Sequence, residues 1–496
     1  MSDHPAVPDS APGLTDAQQT AVAQLLTDAP IADRLGAVFA EAGHSLYLVG
    51  GSVRDALLGD PGTDLDFTTS ARPDEIERLL RTVTQTVWTL GREFGTIGGR
   101  VQDWQIEITT FRADVYTADS RKPVVAFGDD LLDDLIRRDF TVNAMALSVP
   151  EHRFVDPHGG LDDLVELRLR TPSTPTVSFS DDPLRMLRAA RFAARLDLVP
   201  ASELIKAMTE EKDRLTIVSA ERIRDEFSKL LLTDRPRVGL DLLVRTGLAD
   251  VFLPELSALR LERDEHHRHK DVYAHSLTVL EQAIDLERAR GHRPDLIGRL
   301  AALLHDIGKP RTRRFEGHGK VTFHHHDVVG AKMVRKRMKT LRYSSDEIDQ
   351  VAKLIELHLR FHGYADSVDQ QAPGWTDSAV RRYVRDAGDQ LERLHILTRA
   401  DCTTRNQRKA TRLRRAYDEL EWRIDELAKQ EELEAMRPDL DGNQIMQVLD
   451  LPPGPEVGRA YQYLLEQRIE NGPLGADRAT ELLRTWWANR SGGEFS

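Results

Sequence analysis

The sequence predicts an α+β protein, with a small mixed β-sheet near its start and mostly helical regions after it. Two observations support this fold class. Short runs with β-like alternation cluster between residues 46 and 110, whereas apolar residues at helical spacing dominate from about residue 181 onward. At 496 residues the chain is too long for one hydrophobic core, so we expect three or four domains.

Composition and charge restrict the functional classes. Hydrophobic residues make up 40% of the chain and charged residues 30%, and no apolar run is long enough to span a bilayer. No secretion signal is visible, and the single cysteine, Cys402, excludes an internal disulfide framework. We therefore expect a cytoplasmic protein without membrane contact. The net charge of −13 argues against a nucleic-acid partner, but binding depends on local patches of charge.

Periodicity and turn residues place the first elements. Residues 1 to about 14 contain three prolines among small polar residues and predict a mobile tail. Apolar spacing predicts two helices within Thr15–Ala42 and one over Pro73–Arg81. The predicted strands are Leu46–Val49, Leu65–Thr68, Thr86–Leu90, Gly95–Val101 and Gln105–Thr110.

Residues 46–67 combine an apolar run, a Gly-Gly turn and a D-x-D pattern. Asp64 and Asp66 are two apart on a predicted strand, so their side chains share one face. Two carboxylates on a rigid strand suit paired divalent cations that clamp the attacking and leaving oxygens in phosphoryl transfer. The alternative is an ordinary strand with two solvated aspartates.

The Gly-Gly turn supplies a possible phosphate contact. Gly50 and Gly51 let backbone amides approach a phosphate where a short helical pattern begins. Arg54, within that pattern, adds a planar donor for phosphate oxygens. The turn and the D-x-D pattern together favour a nucleotide site over a solvated strand.

A third carboxylate is expected on the same sheet. Alternation in Gln105–Thr110 puts Glu107 on the face opposite to Ile106 and Ile108. Glu107 would either deprotonate an attacking hydroxyl or complete a metal shell; the alternative is an exposed strand glutamate. The polar, proline-interrupted segment Arg112–Phe127 predicts a flexible loop beside this site.

The run Arg137–Met145 begins with two arginines followed by Asp139. Arginines such as Arg138 can hold triphosphate oxygens bidentately, and Asp139 can accept a hydrogen bond from a ribose hydroxyl. The alternative, which is compatible with this role, is a helix start capped by Asp139. Asp156–Leu164 predicts a turn that closes this domain.

Asp181–Leu196 predicts a helix with Pro183 in its first turn. Asp182 and Arg185 are one helical turn apart, so their tips can reach one ligand. Cytosine and adenine each present an amine donor beside a ring-nitrogen acceptor, which an aspartate and an arginine complement. Uracil and guanine would leave these partners unpaired, at a cost of about 1–3 kcal/mol each. The alternative is an intrahelical ion pair worth about 0.3–0.5 kcal/mol.

Histidines become frequent after residue 263. Imidazole and carboxylate groups suit one or two transition-metal or magnesium ions that activate water. The H-D-x-G-K motif at residues 305–309 and a distant helical aspartate are more specific than one His-Asp pair. The alternative is a set of surface histidines without function. The candidate ligands are His275, His305, Asp306, His326, His358 and Asp401.

Two basic clusters contrast with the acidic total. Lys332–Arg342 and Arg405–Arg415 each contain six Lys or Arg residues among eleven, with no acid. Helical spacing puts most of the second cluster on one face, which can follow a phosphate backbone; the alternative is a solvated helix. The residues of that face are Arg405, Arg408, Lys409, Arg412 and Arg415.

In their order along the chain, these motifs resemble those of the class II tRNA nucleotidyltransferases, the CCA-adding enzymes. The resemblance covers about residues 32–255. The segment from His275 to Asp401 resembles the HD phosphohydrolase domain that some members carry. The matching motifs are Gly50–Asp55, Asp64–Asp66, Arg137–Met145, Asp156–Leu164, Asp182–Arg185 and Glu221–Ile223.

The resemblance implies Mg²⁺ and the transfer of CMP twice and AMP once from CTP and ATP to a tRNA 3′ end, with release of pyrophosphate. By position, Asp64 and Asp66 would bind Mg²⁺. Independently of the resemblance, the place of Glu107 on the sheet leads us to expect that it assists the attacking hydroxyl. Asp182 and Arg185 would read the base. The other residues expected to contact the nucleotide are Gly51, Arg54, Arg138, Arg188 and Arg191.

The resemblance also implies an architecture: a head with a five-stranded sheet, a helical neck, and helical body and tail regions. The basic helices would hold the acceptor arm of tRNA by its phosphates. The expected division is 1–30 for the tail and first helix, 31–165 for the nucleotidyltransferase head, 166–255 for the neck, 256–425 for the HD domain and 426–496 for the C-terminal region.

Several other functions stay open at this point. A bacterial poly(A) polymerase shares the head motifs, although Gly91–Ile97 looks more like the CCA-adding form. Members restricted to C-C or to the final A are also compatible. From other classes come an HD phosphohydrolase with an inactive head and a non-catalytic RNA-binding protein.

Overall fold

The chain folds into two compact units, Met1–Ser257 and Ala258–Ser496. The first contains a mixed sheet with surrounding helices and the second is mostly helical, so the predicted α+β class is confirmed. The finer domain boundaries stay predictions. The structure, a computed structural model, describes residues 14–112, 127–260, 271–316, 320–361, 375–402, 407–431 and 437–491.

A seven-stranded sheet organises the first unit. Its strands are β1 (Leu46–Val49), β2 (Asp64–Thr69), β3 (Val87–Trp88), β4 (Thr96–Val101), β5 (Trp104–Thr110), β6 (Ala146–Val149) and β7 (Phe154–Val155). Their order is β3-β4-β5-β2-β1-β6-β7. Only the β2–β5 pair of this sheet is parallel. The expected number of five strands was wrong: β1 to β5 match the five strands predicted from the sequence, and the sheet gains β6 and the two-residue edge strand β7.

The centre of this sheet shows the predicted alternation. In the middle of β2 and β5 every second residue is apolar and buried, and the residues between them face the other side. In the parallel register Asp66 lies beside Glu107. The buried residues are Leu65, Phe67, Ile106 and Ile108.

The helices of the first unit include the two predicted within Thr15–Ala42 and the one predicted over Pro73–Arg81. A short parallel pair, β8 (Arg168–Leu169) and β9 (Val199–Pro200), lies among them. The helices are α1 (Asp16–Asp28), α2 (Ile31–Glu41), α3 (Gly51–Leu57), α4 (Pro73–Leu80), α5 (Leu131–Ile136), α6 (Gly160–Val165), α7 (Pro175–Asp181), α8 (Leu184–Leu196), α9 (Ser202–Glu210), α10 (Ala220–Leu231), α11 (Pro236–Arg245), α12 (Leu248–Phe252) and α13 (Pro254–Ser257).

The single helix predicted over Asp181–Leu196 was wrong, because the chain breaks between α7 and α8. Asp182 is extended, with φ −139° and ψ 98°. Pro183 lacks an N–H and disfavours helical geometry at the residue before it. The Asp182 carboxylate accepts a hydrogen bond from the Leu184 amide at 3.1 Å and so helps to start α8. Asp182 therefore precedes the helix that carries Arg185.

The helix start capped by Asp139 was also wrong. A single 3₁₀ turn, Thr141–Asn143, follows this residue, and the chain then enters β6, which pairs with β1. The Asp139 carboxylate accepts hydrogen bonds from the Phe140 amide and the Asn143 side chain, both at 2.9 Å. Asp139 thus stabilises a turn into the sheet instead of a helix.

The second unit is helical apart from a hairpin of β10 (Arg314–Glu316) and β11 (Lys320–Thr322). Among the described residues, none of the helices combines the length and the apolar character needed to cross a bilayer. Its helices are α14 (Val272–Ala289), α15 (Leu296–Leu304), α16 (Lys309–Thr312), α17 (His326–Thr340), α18 (Ser345–Leu357), α19 (Asp377–Ala387), α20 (Leu391–Asp401), α21 (Gln407–Glu431), α22 (Gly442–Leu449), α23 (Pro455–Asn471) and α24 (Ala476–Ser491).

Candidate functional site

Three acids of the first unit form what we call the carboxylate site: Asp64, Asp66 and Glu107. Asp64 is exposed, whereas Asp66 and Glu107 are partly buried. Burial raises the pKa of Asp66 to about 6, and the negative charges of Glu107 and Asp64 act in the same direction, against the positive charges of Arg138 and Arg54. Neighbouring carboxylates that raise the pKa of Asp66 fit a divalent cation such as Mg²⁺, which would offset their negative charge.

The Gly-Gly turn borders the carboxylate site. Gly50 has φ +68°, a conformation that L side chains rarely adopt. A Cβ atom at Gly50 would lie 3.3 Å from Nη1 of Arg138 and 3.8 Å from Oδ2 of Asp66. The absence of a side chain thus keeps open the space beside Asp66 and Arg138. Gly51 follows as the first residue of α3.

Arg54, a predicted phosphate ligand, is buried and holds internal partners. Its guanidinium donates to both carboxylate oxygens of Asp55 at 2.8 Å and to the side-chain oxygen of Asn143. It also lies 5.2 Å from the centre of the Phe192 ring. Burial lowers the pKa of Arg54. The structure therefore places Arg54 behind the turn as an anchor for α3 and α8.

Arg138 and Asp139 are both held by ion pairs. Arg138 Nη2 donates to Oδ2 of the buried Asp134 at 3.0 Å. Arg188 donates to Oδ2 of Asp139 through Nε at 2.8 Å and Nη2 at 2.5 Å. Burial alone would raise the pKa of Asp139, but Arg188 and the hydrogen bond from Asn143 hold it well below its usual range. Asp139 is therefore ionised and ties α8 to the sheet.

The predicted base-reading residues are held by different partners. Arg185 is 8% exposed. Its Nη1 donates to the hydroxyl of Ser178 at 2.9 Å, and its Nη2 donates to the carbonyl of Arg137 at 2.5 Å. Asp182 accepts a hydrogen bond from Nη2 of Arg222 at 2.9 Å. Both residues lie at the start of α8, and their role in reading a base stays a prediction.

Sequence reasoning missed the partners that hold the arginines of α8. Glu226 on α10 accepts from Arg191 Nε at 2.6 Å and lies 3.5 Å from Nη1 of Arg188. Arg222 lies one turn earlier on the same helix and pairs with Asp182. The spacing of Arg222 and Glu226 was a usable signal, because two charges four residues apart share one helix face.

In the second unit all six predicted ligands come together; we call them the histidine–aspartate centre. They lie at or next to the ends of five helices: His275 near the start of α14, His305 and Asp306 after α15, His326 at the start of α17, His358 after α18 and Asp401 at the end of α20. Two overlapping groups have ligand atoms within 4.8 Å of one another. These groups are His275, His305 and Asp306, and Asp306, His326 and His358.

The two aspartates of this centre contact its histidines. Asp401 Oδ1 lies 2.9 Å from Nε2 of His275 and 3.5 Å from Nε2 of His305. Asp306 Oδ1 lies 3.2 Å from Nε2 of His326, and its Oδ2 lies 2.5 Å from Nζ of Lys309. Burial alone would raise the pKa of Asp306, but neighbouring His305 holds it well below the usual range. Asp306 is therefore an anion at neutral pH.

Hydrogen bonding fixes the tautomer of three histidines in this centre. Each donates from Nδ1 to the backbone carbonyl three residues before it, which leaves Nε2 as the ring atom that can bind a metal once it carries no proton. These Nε2 atoms are buried and, in the described part of the chain, lack a hydrogen-bond partner. Unpaired imidazole nitrogens beside carboxylates fit a divalent metal ion. The bonds are His305 to Ala302 (2.9 Å), His326 to Phe323 (2.8 Å) and His358 to Ile355 (2.6 Å).

The predicted RNA-binding face is only partly described. Arg408 and Arg415 are exposed on α21, and Arg412 is partly buried. Arg405 and the side chain of Lys409 lie outside the described residues, as does the predicted loop within Arg112–Phe127 except for its two ends, which pair as an antiparallel bridge. The shared basic face stays a prediction.

Three family models match the chain. The Poly A polymerase head domain matches residues 46–170, the probable RNA and SrmB-binding site of polymerase A matches residues 199–259, and the HD domain matches residues 272–406. Fold and matches together define a nucleotidyltransferase with a head of the poly(A) polymerase type and an HD domain.

Curated relatives give the family. The A-adding tRNA nucleotidyltransferase of Deinococcus radiodurans is 32% identical over 455 residues, which are 90% of this chain and 96% of the relative. The CC-adding tRNA nucleotidyltransferase of Thermus thermophilus is 31% identical over 448 residues, covering 89% and 93%. The CCA-adding enzyme of Streptococcus gordonii is 41% identical over 226 residues, covering 45% and 55%. The chain therefore belongs to the tRNA nucleotidyltransferase family that includes the CCA-adding enzymes.

Solved structures support the fold. The CCA-adding enzyme of Bacillus stearothermophilus in complex with CTP has a TM-score of 0.63 and 22% identity, and the match covers 97% of this chain and 100% of that chain. The predicted architecture, a head with a sheet followed by helical regions, is thus the fold of these solved CCA-adding enzymes.

Proposed function

We propose that this chain adds C, C and A to the 3′ end of tRNA, using CTP and ATP and releasing pyrophosphate. The observation that carries the proposal is the carboxylate site, where Asp66 lies beside Glu107 and borders Gly50 and Arg138. Such a cluster fits the head of a nucleotidyltransferase. The single cysteine leads us to expect this activity in the cytoplasm.

In this proposal Asp64 and Asp66 hold Mg²⁺, which supplies positive charge to the triphosphate and the attacking hydroxyl. Glu107 stands level with Asp66 and takes up the proton of the tRNA 3′-hydroxyl or adds a ligand oxygen. Gly51 and Arg138 bind the phosphates and the sugar. Arg54 holds the turn through Asp55 and Asn143, and the two N–H donors that these three contacts leave are proposed to bind the phosphates.

Selection of the base rests on Asp182 and Arg185. Asp182 accepts from the exocyclic amine of cytosine or adenine, and Arg185 donates to the adjacent ring nitrogen. A guanidinium has five N–H donors, and three contacts to Ser178 and Arg137 leave two of them for the base. Arg188 and Arg191 support this pair from the next turns of α8 and are expected near the nucleotide.

The histidine–aspartate centre is proposed as a second site that holds one or two divalent ions and hydrolyses phosphate esters. Three buried Nε2 atoms without hydrogen-bond partners favour this role over a purely structural one. The metal would polarise a phosphate oxygen and a bound water. The chain's own contribution is to hold three imidazoles in one tautomer and two aspartates in the ionised form.

The deciding experiment incubates the full-length chain with a tRNA transcript that lacks CCA, using CTP alone, ATP alone and both together. We expect two added residues with CTP alone, none with ATP alone and three with both. The extent of addition is the central question because the two relatives that match almost the whole chain are named for adding only A or only CC.

The same assay, repeated with tRNA that ends in CC and with an unrelated RNA, distinguishes the contrary outcomes. Arrest after two residues with both nucleotides would make the chain a CC-adding enzyme. Addition of A only to tRNA that already ends in CC would make it an A-adding enzyme. Long A tails on unrelated RNA would replace the proposal with a poly(A) polymerase. No addition by wild type, combined with phosphate release from nucleotides, would leave the HD domain as the active one.

A further inference from the structure

A tryptophan stands in line with the acids of the carboxylate site. Trp88 on β3 pairs with Gly98 on β4, and Gly98 pairs with Glu107 on β5. Glu107 in turn lies beside Asp66 on β2. Directly paired residues point to the same face of a sheet. The indole and the two carboxylates therefore lie on one face.

Gly98 leaves the space that the indole occupies. A Cβ atom at Gly98 would overlap with Nε1 and Cε2 of Trp88, so the ring lies over β4 where another residue would have its side chain. Trp88 is only partly buried, so part of its ring is accessible. The opposite face is closed at this point, because a Cβ at Gly99 would lie 3.0 Å from Leu80 of α4. The accessible surface of the Trp88 ring beside Glu107 is what we call the tryptophan platform.

The order of the strands separates the two reactants of the proposed transfer. The Gly-Gly turn, which is proposed to hold the triphosphate, follows β1, and the sheet continues from there through β2, β5, β4 and β3. In phosphoryl transfer the attacking hydroxyl and the leaving pyrophosphate lie on opposite sides of the reacting phosphorus. With the pyrophosphate toward β1, the hydroxyl comes from the side of β5 and β4. The nucleotide that carries this hydroxyl then lies over Gly98 and Trp88.

The charges of this face favour an uncharged group at the tryptophan platform. On β2, β4 and β5 the charged side chains of this face are three acids and one cation, the exposed Arg100. The acids are Asp64, Asp66 and Glu107. This balance disfavours a phosphate group on the platform, whereas a nucleobase carries no charge and gains from stacking on an aromatic ring. Arg100 lies two residues beyond Gly98, where it can hold the phosphate of the same nucleotide.

We propose that Trp88 positions the RNA strand by stacking on the base of its 3′-terminal nucleotide, whose hydroxyl attacks at the carboxylate site. The inference rests on the proposed function. That function requires a contact that accepts any base, because the strand ends first in the nucleotide that precedes CCA and then in C. Every base has a π-face, so an aromatic ring tolerates all of them. A set of hydrogen bonds to the base edge, such as the one proposed for Asp182 and Arg185, would not.

The base of the incoming nucleotide is the alternative occupant of the tryptophan platform, but its expected position argues against it. Arg185, which is proposed to read that base, donates to the carbonyl of Arg137. The next residue, Arg138, lies beside Gly50 at the end of β1. The base-reading residues thus belong to the β1 side of the sheet. The platform on β3 and β4 is therefore left for the accepting strand.

The test combines a change of the platform with a change of the base. Full-length wild type and Trp88→Leu add C from CTP to two tRNAs that lack CCA, one with its normal 3′-terminal nucleotide and one in which that nucleotide is abasic. On normal tRNA we expect Trp88→Leu to lower kcat/KM about 10-fold or more, with the KM for CTP within about twofold of wild type. On abasic tRNA wild type should fall by a similar factor, and Trp88→Leu should lose at most about twofold more.

Two further variants are the controls. Trp104→Leu removes a partly buried indole from the opposite face of the same sheet, since Trp104 alternates with Glu107 along β5. Its kcat/KM should stay within about twofold of wild type on both tRNAs. Trp88→Phe keeps an aromatic ring over Gly98 and should restore most of the activity on normal tRNA.

Three results would overturn the proposal. One is an unchanged kcat/KM of Trp88→Leu on normal tRNA. Another is an equal loss in Trp88→Leu on normal and abasic tRNA, which would leave the indole with a packing role. The third is a KM for CTP that rises as much as kcat/KM falls, which would assign the platform to the incoming base. Equilibrium binding of the two tRNAs without nucleotides gives the same comparison even if wild type adds no residue, so failure of the proposed function is seen separately in the wild-type assay.

Discussion

The two candidate metal-binding sites of this chain are assembled in opposite ways. The carboxylate site takes its three acids from two neighbouring strands, where parallel register sets Asp66 beside Glu107. The histidine–aspartate centre takes its six groups from the ends of five helices between His275 and Asp401. The position of the carboxylates thus follows from the local periodicity of two strands. The histidine–aspartate centre forms only when five helices of the second unit pack together.

The donor atoms differ as well. The carboxylate site offers only oxygen donors, and Asp64 is exposed. Such a site suits a hard ion such as Mg²⁺ that exchanges with solvent and arrives with its nucleotide. Buried imidazole nitrogens beside Asp306 suit a transition metal that stays bound through purification. The comparison therefore predicts a weakly held ion in the first unit and a resident ion in the second.

The largest expected effect is on transfer. Asp66→Asn removes a carboxylate from the carboxylate site, and we expect the rate of nucleotide addition to fall about 10²- to 10³-fold or more. Steady-state addition to tRNA lacking CCA measures this loss. Asp103→Asn, on the exposed turn between β4 and β5, is the matched control and should keep wild-type activity. Equal losses in both variants would contradict the assignment.

A melting experiment separates this loss from misfolding. The pKa of Asp66 is raised to about 6 in the folded chain, mainly by burial. A carboxyl group with a raised folded pKa favours folding below its unfolded pKa near 4 and loses that contribution as pH rises through about 6. At pH 7.5 without Mg²⁺, Asp66→Asn should therefore melt at or above the wild-type temperature.

The second prediction concerns the resident ion. Asp306→Asn should lower metal affinity at least about 100-fold, because this carboxylate contacts both predicted ligand groups. Metal content after dialysis measures this change. Nucleotide addition should stay within about twofold of wild type, provided that the two sites work independently. If Asp306→Asn lowered the rate of nucleotide addition as much as Asp66→Asn does, the two sites would not be independent.

The sequence predicted the carboxylate site well because its information is local. A two-residue period set Asp64 and Asp66 on one face, and the same period placed Glu107 on the neighbouring strand. The ligands of the histidine–aspartate centre were found by residue type and resemblance. Their tautomers could not be predicted, since these depend on carbonyl groups such as that of Ala302 that turn inward at helix ends.

The errors also have physical causes. The break before α8 was missed because Pro183 was assigned to a first helical turn, although it also restricts the residue before it. Strand β6 was missed because its four residues carry little periodicity, and its pairing with β1 and β7 defines it. The hydroxyl of Ser178 and the carbonyl of Arg137, which hold Arg185, come from separate elements that no sequence pattern connects.

The third prediction tests the Gly-Gly turn. Gly50→Ala and Gly43→Ala both force a side chain into positive φ, which costs about 1–2 kcal/mol in the left-handed helical region. Gly50 has ψ −132°, outside that region, and its Cβ would face Arg138, whereas a Cβ at Gly43 has no atom within 4 Å. Both variants should therefore melt below wild type, Gly50→Ala at the lower temperature, and at a temperature where both are folded only Gly50→Ala should slow nucleotide addition, by roughly tenfold. Equal activity in the two variants would remove the turn from the site.

The smallest expected effect concerns base selection. Ser178→Ala deletes one hydrogen bond to Nη1 of Arg185, worth about 0.5–1.5 kcal/mol. The guanidinium then loses part of its orientation, so the KM for CTP and ATP should rise about 2- to 10-fold. Misincorporation of UTP should rise too, because a looser arginine rejects the reversed donor pattern of uracil less well. Pre-steady-state addition with each nucleotide measures both quantities.

Two further variants make this last prediction decisive. Ser178→Thr keeps the hydroxyl and should restore selectivity, which a merely structural role of Ser178 would not require. Ser180→Ala, two residues later and exposed, should leave both quantities at wild type. If Ser178→Ala lowers the rate without changing the ratio of CTP to UTP use, Arg185 does not read the base. The selection between nucleotides would then belong to residues other than the start of α8.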